Sequence, residues 1–358
     1  MAAVATGGHS CRLPTKVGAF PRHMMTAGST GRGAWRVRAT TVCALLLVFV
    51  AVGSVRAAPL IGGTIAYIQS VGLTYEIYIV EAGSRNPRRV WRENNPVTGV
   101  KLSPDGRTVV FESSRERGFW DTELYVVDVD GTEHAQITDF GGESEIPSGP
   151  TWSPDGSRLA YGSYAMLSDA TLTVATRDGA DPRVLLRTPP SRFEYLAWSP
   201  RGAAIAYYMP TAGFGAHIML ISVASGETTS LTSEGGIYIA WAPDGTQLAF
   251  VRGMGVGQTR GVYALKAQPG ADVRLVTQAE MDSSSLSWVD ARHIAYLSVA
   301  DFQKIHITDL AGKAQTPLDV GATARLVAFD WVDPARAVEP GGKVATTLGN
   351  LKAGVDLQ

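Results

Sequence analysis

The sequence predicts an all-β protein: a single β-propeller of six four-stranded blades, closed by pairing of its N- and C-terminal segments. Three observations lead there. A turn motif recurs at near-constant spacing, an apolar triplet follows each copy, and helical periodicity is missing over any useful length. Seven blades is the alternative count.

The motif is first met as Leu102-Ser103-Pro104-Asp105-Gly106, followed by the triplet Val109-Val110-Phe111. It recurs as Trp152-Ser153-Pro154-Asp155-Gly156 before Leu159-Ala160-Tyr161, and as Trp198-Ser199-Pro200-Arg201-Gly202 before Ile205-Ala206-Tyr207. A further copy is Trp241-Ala242-Pro243-Asp244-Gly245 before Leu248-Ala249-Phe250. A decayed one is Trp288-Val289-Asp290-Ala291-Arg292 before Ile294-Ala295-Tyr296, and the triplet alone opens the series as Ile65-Ala66-Tyr67. The middle triplet residues fall at 66, 110, 160, 206, 249 and 295, giving intervals of 44, 50, 46, 43 and 46 residues. That is the length of a propeller blade and too long for a leucine-rich unit.

Each triplet is followed by a variable loop and then a second alternating strand, such as Glu123-Leu124-Tyr125-Val126-Val127-Asp128. A third short strand follows, as at Arg274-Leu275-Val276. The turn has a direct physical reading: Pro presets φ, Asp accepts backbone hydrogen bonds, and Gly supplies the positive φ that closes the hairpin. Asp105, Asp155 and Asp244 therefore read as turn residues before they read as catalytic or metal-binding carboxylates, and Arg201 replaces the acid in one copy without ending the repeat. The tryptophans Trp152, Trp198, Trp241 and Trp288 read as blade-to-blade packing, with stacking on a ligand as the alternative.

The first repeat lacks the strand that precedes the turn in later copies. Arg325-Leu326-Val327-Ala328-Phe329-Asp330-Trp331 is suited to supply it, which would interlock the two ends of the propeller and remove its last open sheet edge. Trp331-Val332-Asp333 also repeats Trp288-Val289-Asp290, so a further strand at 335–338 is the competing arrangement.

Trp-Ser-Pro-Asp-Gly followed by Leu-Ala-Tyr, a loop and Glu-Leu-Tyr-Val-Val-Asp resembles the WD40-like, or PD40, repeat of the TolB propeller family. Ser114-Arg115 and Gly118 in the second loop add to the likeness, which runs over residues 60–335. The resemblance implies the propeller fold and participation in an envelope complex. TolB itself carries a smaller α/β domain ahead of its propeller, for which residues 60–358 leave no room; this makes a direct role in the Tol-Pal system doubtful.

The domain organisation read from the sequence is a leader over 1–58, the propeller over 60–338 and a tail over 339–358. Residues 1–58 hold seven Lys or Arg and no Asp or Glu, and they run into the apolar stretch Val42 to Gly53, with small residues around Ala57-Ala58. This is the pattern of a cleaved export signal, with a retained membrane anchor as the alternative. Met24 and Met25 would begin a leader of more ordinary length. The predicted location is the periplasm or the cell exterior, with membrane association only if the leader stays. Both cysteines, Cys11 and Cys43, lie in the leader, so the propeller would have no disulfide and no Cys-ligated metal. Beyond residue 58 there are 25 basic and 33 acidic residues, a formal charge of −8, which argues against nucleic acid as a partner.

Repeat proteins place their variable loops on the face they use. The loops after the triplets begin at Glu112, Gly162, Tyr208, Val251 and Ser298, and they should emerge on the face that carries the blade connections. Within them Arg115, Arg117, Phe119, Trp120 and Asp121 form the predicted binding cluster, because exposed aromatic and Arg anchors carry recognition. Packing of Phe119 and Trp120 onto their own blade is the plainer reading. Glu143, Glu145, Glu194 and Asp282 are candidates for the channel mouth.

The leading function is noncatalytic binding of a protein, peptide or cell-envelope component. No catalytic residue, cofactor or metal site is predicted. The competing function is a lyase or hydrolase acting on a glycan or peptide in the channel. It would need His134, His217, His293 or His306, which lie in different repeats without metal-ligand spacing, to converge with carboxylates on one pocket. The nucleophile elbow of a hydrolase partner, the Asp-box turns of a sialidase and phosphate-binding loops are all missing from the sequence.

Overall fold

The computed structural model describes residues 62–333 apart from 115–121, 141–145, 165–168, 190–191, 211–215, 234, 253–260, 279–284 and 315, together with 338–339 and 343–344. Within these the strands form six four-stranded antiparallel sheets in chain order. The first repeat supplies β1 (Thr64–Val71), β2 (Thr74–Glu81) and β3 (Arg88–Glu93). Blade two is β4 (Val97–Leu102), β5 (Thr108–Ser113), β6 (Glu123–Asp128) and β7 (His134–Gln136). Blade three is β8 (Ile146–Trp152), β9 (Arg158–Tyr164), β10 (Ala170–Thr176) and β11 (Arg183–Thr188). Blade four is β12 (Ala197–Trp198), β13 (Ala204–Pro210), β14 (Ala216–Ser222) and β15 (Thr228–Thr232). Blade five is β16 (Ile237–Trp241), β17 (Gln247–Arg252), β18 (Gly261–Lys266) and β19 (Arg274–Gln278). Blade six is β20 (Leu286–Trp288), β21 (His293–Ser298), β22 (Asp301–Asp309) and β23 (Leu318–Asp319).

The ring closes as the sequence predicts. Strand β24 (Arg325–Val332) pairs antiparallel with β1, from Thr64 opposite Val332 through Tyr67 opposite Phe329, and becomes the inner strand of blade one. The Trp331 indole donates to the Gly62 carbonyl at 3.1 Å, and Thr323 N donates to Gln69 Oε1, so the two ends are also tied outside the ladder. Val338–Glu339 pairs only with Lys343–Val344 and joins no blade, so the count is six and not seven.

The apolar triplet explains how the blades pack. The small middle residue of one blade shares a cluster with the large outer residues of the next blade's triplet: Ala160 with Ile205 and Tyr207, Ala206 with Leu248 and Phe250, Ala249 with Ile294 and Tyr296. Ala295 meets Ile65 and Tyr67 in the same way, so the seam between the last and first blades is built like the others. A small side chain facing large ones lets neighbouring sheets interdigitate at native density. All of these residues are buried.

The turns also behave as read. Gly106, at φ 70°, donates to the Ser103 carbonyl, while Asp105 Oδ1 accepts from Arg107 N at 3.0 Å. Asp155 and Asp244 repeat this with Ser157 and Thr246. In blade four, where Arg201 cannot accept, Ser199 holds the turn through its carbonyl to Gly202 N and its Oγ to Ala204 N. We call the face carrying these turns the lower face. The connections from second to third strands and from blade to blade lie on the opposite, upper face.

Candidate functional site

The six inner strands line a central channel with a cavity toward each end. The lower cavity, about 240 Å³, is ringed by Trp152, Trp198, Trp241, Trp288 and Trp331 together with the turn prolines. Here the repeat is structural. Trp152 Nε1 donates to the Lys101 carbonyl, Trp241 Nε1 to that of Ala197, and Trp288 Nε1 to that of Ala240, each one blade back. Blade two has Leu102 where the others have Trp, and Asp330 fills the gap by accepting from Leu102 N at 2.9 Å and Lys101 Nζ at 3.1 Å. Three of the five tryptophans thus join neighbouring blades, while Trp198 Nε1 donates to the Gly202 carbonyl of its own turn at 3.1 Å.

The upper cavity is larger, about 330 Å³, and its lining departs from the repeat. Three residues before the tryptophan, the inner strands bulge: pairing shifts register between Ser148 and Thr151 in blade three and between Ile237 and Ala240 in blade five. At this position Gly149, Tyr195 and Tyr238 occupy the left-handed region, at φ 62°, 57° and 55°. Glycine does so without cost, and nothing larger would fit in blade three, since a Cβ on Gly149 would come within 2.9 Å of Tyr195 N. For a tyrosine the same conformation is strained by about 1–2 kcal/mol. A bulge re-aims the side chain it carries, here Tyr238, whose ring meets that of Tyr195 in the channel wall, 4.5 Å apart and edge to face. Tyr208 lies 6.3 Å beyond Tyr195.

Two carboxylates share this cavity. Glu112, at the upper end of β5, accepts from Thr98 Oγ1 at 2.8 Å and Gly149 N at 2.8 Å, and so links blade two to the bulge of blade three. Its side chain is half-buried and lines the cavity. Burial pushes its carboxyl above the ordinary range, the two donors offset this in part, and the charge of Glu194 pushes it further up. Glu194, just before the strained Tyr195, pairs with Arg192 at 3.4 Å, and the Arg192 guanidinium lies 4.4 Å over the Tyr164 ring. Burial holds the Tyr195 phenol far above its usual value, with Tyr238, Glu194 and Glu112 adding to the effect, so it stays a neutral hydrogen-bonding group.

Of the predicted mouth residues, Glu194 is in place; Glu143, Glu145 and Asp282 lie outside the described residues, as do Arg115, Arg117, Phe119, Trp120 and Asp121. The four histidines do not converge. His134 packs on Trp91, His217 faces Ser230, His293 is held by Asp290 in its turn, and His306 stacks on Tyr296; none lines either cavity. Among the described residues no cluster of three His, Cys, Asp or Glu could hold a metal. The sequence reading missed Tyr195 and Tyr238. Their signal is the position three residues before each tryptophan, where Gly149 marks the backbone shape that the two tyrosines are forced to share.

The model of the PD40 family, the TolB β-propeller domain, matches residues 119–324. This chain belongs to that family. The PD40 match begins within the second blade and extends almost to the closing strand. The chain is similar to an uncharacterized peptidase YuxL of Bacillus subtilis (strain 168), 31% identical over 161 residues that make up 43% of this chain and 21% of that one. It is also 30% identical over 86 residues to the Tol-Pal system protein TolB of Alcanivorax borkumensis, covering 24% of this chain and 19% of that one. The matched stretch is therefore about a fifth of the length of these relatives. The crystal structure of TolB from Acinetobacter baumannii superposes with a TM-score of 0.64 at 18% identity, over 75% of this chain and 66% of that one, which shows a shared fold.

Proposed function

We propose that this chain is a noncatalytic exported propeller that binds an envelope protein or peptide through its upper face and the upper mouth of its channel. The observation that carries this reading is the pair of left-handed tyrosines, Tyr195 and Tyr238, in the wall of the upper cavity. Strain of this kind persists only where surrounding structure imposes it, and it gathers at ligand sites. The aromatic lining, with polar groups at a few fixed points, is that of a recognition pocket. Export is supported by the basic, acid-free segment and apolar run over 1–58, and a partner in the envelope by the likeness to Tol-Pal system proteins. The division into leader, propeller over 60–338 and tail over 339–358 belongs to the same reading, and the cluster from Arg115 to Asp121 would extend the surface from the loop that begins at Glu112.

The test is site-specific photo-crosslinking in the producing cell. A photoreactive residue in place of Met209, exposed at the upper end of β13, is expected to give a discrete adduct, while one in place of Asp244 in a lower turn gives none. Equal adducts at both positions, or adducts only at Asp244, would contradict the reading.

A further inference from the structure

Resting on that reading, we infer that the upper cavity takes a cationic side chain, the ammonium or guanidinium of a Lys or Arg on the bound peptide, between the Glu112 carboxylate and the rings of Tyr195 and Tyr238. The cavity of about 330 Å³ is at the small end of ligand pockets. It suits one extended side chain. Its lining carries two carboxylates, Glu112 and Glu194, against one ammonium, that of Lys101. A cation over a tyrosine face is attracted by the ring quadrupole, and more strongly where water is excluded.

The rim already holds one cation in this manner. Arg192 lies over the Tyr164 ring while pairing with Glu194, which accounts for that carboxylate. Glu112 has no such partner among the described residues: its contacts are the Thr98 hydroxyl and the Gly149 amide, and Lys101, the basic residue lining the cavity, is engaged by Asp330. Two carboxylates without a third ligand of that kind among the described residues fit an organic cation better than calcium or magnesium, which take six or more oxygens.

The probes are the blocked peptides acetyl-Gly-Gly-Xaa-Gly-Gly-amide with Xaa as lysine, arginine or norleucine, and calcium ion alone. They are titrated into the full chain with ring-labelled tyrosine, and the nuclear magnetic resonance signals of Tyr195 and Tyr238 are followed, assigned from their Phe variants. The lysine or arginine peptide should bind at least tenfold more tightly than the norleucine peptide, and Glu112→Gln, which keeps an acceptor for Gly149 N, should remove that preference while the fold stays intact by circular dichroism. Equal binding of norleucine, an unchanged preference in Glu112→Gln, or calcium moving the same signals more tightly than either peptide would overturn the inference. If the cationic preference fails while the Met209 adduct persists, the recognition face stands and only the ligand chemistry is wrong; loss of both sinks the functional reading as well.

Discussion

At the lower end of the channel a tryptophan closes the inner strand in all blades but the second, and most of the indoles bond the preceding blade. At the upper end the same strands carry Gly149, Tyr195, Tyr238 and Ser285 at matching positions, and three of these are left-handed. The first end repeats because every seam needs the same joint. The second varies because nothing in the seams requires it to be uniform, and variation there is free to serve a ligand. Substitutions should therefore separate: lower-end changes cost stability, and upper-end changes cost binding.

The largest stability effect is expected for Trp331→Ala. It removes a buried indole from the closing strand and its bond to Gly62, and should cost about 3–5 kcal/mol in chemical denaturation. Asp155→Ala should cost about 1 kcal/mol. Burial raises the Asp155 carboxyl, but hydrogen bonds from Ser153 and Ser157 outweigh it and leave the pKa below its ordinary value. A carboxylate depressed on folding contributes its stability in full above the unfolded pKa, about 4, and loses it as pH falls through the folded one. Wild type and Asp155→Ala should therefore converge in acid.

Changes at the upper end should barely move stability. Tyr238→Gly releases about 1–2 kcal/mol of left-handed strain and forfeits the edge-to-face pairing with Tyr195, about 0.5–1.5 kcal/mol, so the two terms offset to within about 1.5 kcal/mol. Glu112→Gln should be neutral or stabilising at neutral pH. With its folded pKa raised, Glu112 contributes fully below the unfolded value, about 4.3, and that contribution is lost as pH rises through the folded pKa. The stability of Glu112→Gln relative to wild type should accordingly grow from pH 4 toward pH 8 in parallel denaturation series.

How much of this was legible in the sequence follows from the range of the interactions involved. The Ser-Pro-Asp-Gly turn is specified within five residues, so Gly106 and Asp105 could be assigned their roles directly. The triplets repeat because seam packing repeats, which made blade number and closure by Arg325–Trp331 readable as well. The upper cavity is different. Glu112 reaches the bulge of the next blade, and Tyr195 meets Tyr238 one blade further round, so no local pattern joins them. A left-handed backbone is announced by glycine at Gly149 but concealed by tyrosine at Tyr195 and Tyr238.

The most direct test of this separation compares the Met209 photo-adduct in two backgrounds whose stabilities run opposite to their expected binding. Tyr238→Gly should lower adduct yield tenfold or more with a thermal midpoint close to wild type, while Asp155→Ala should keep the adduct despite its lower midpoint. Adduct yield that instead follows the midpoint, lost in Asp155→Ala and retained in Tyr238→Gly, would contradict the assignment of binding to the upper end of the channel.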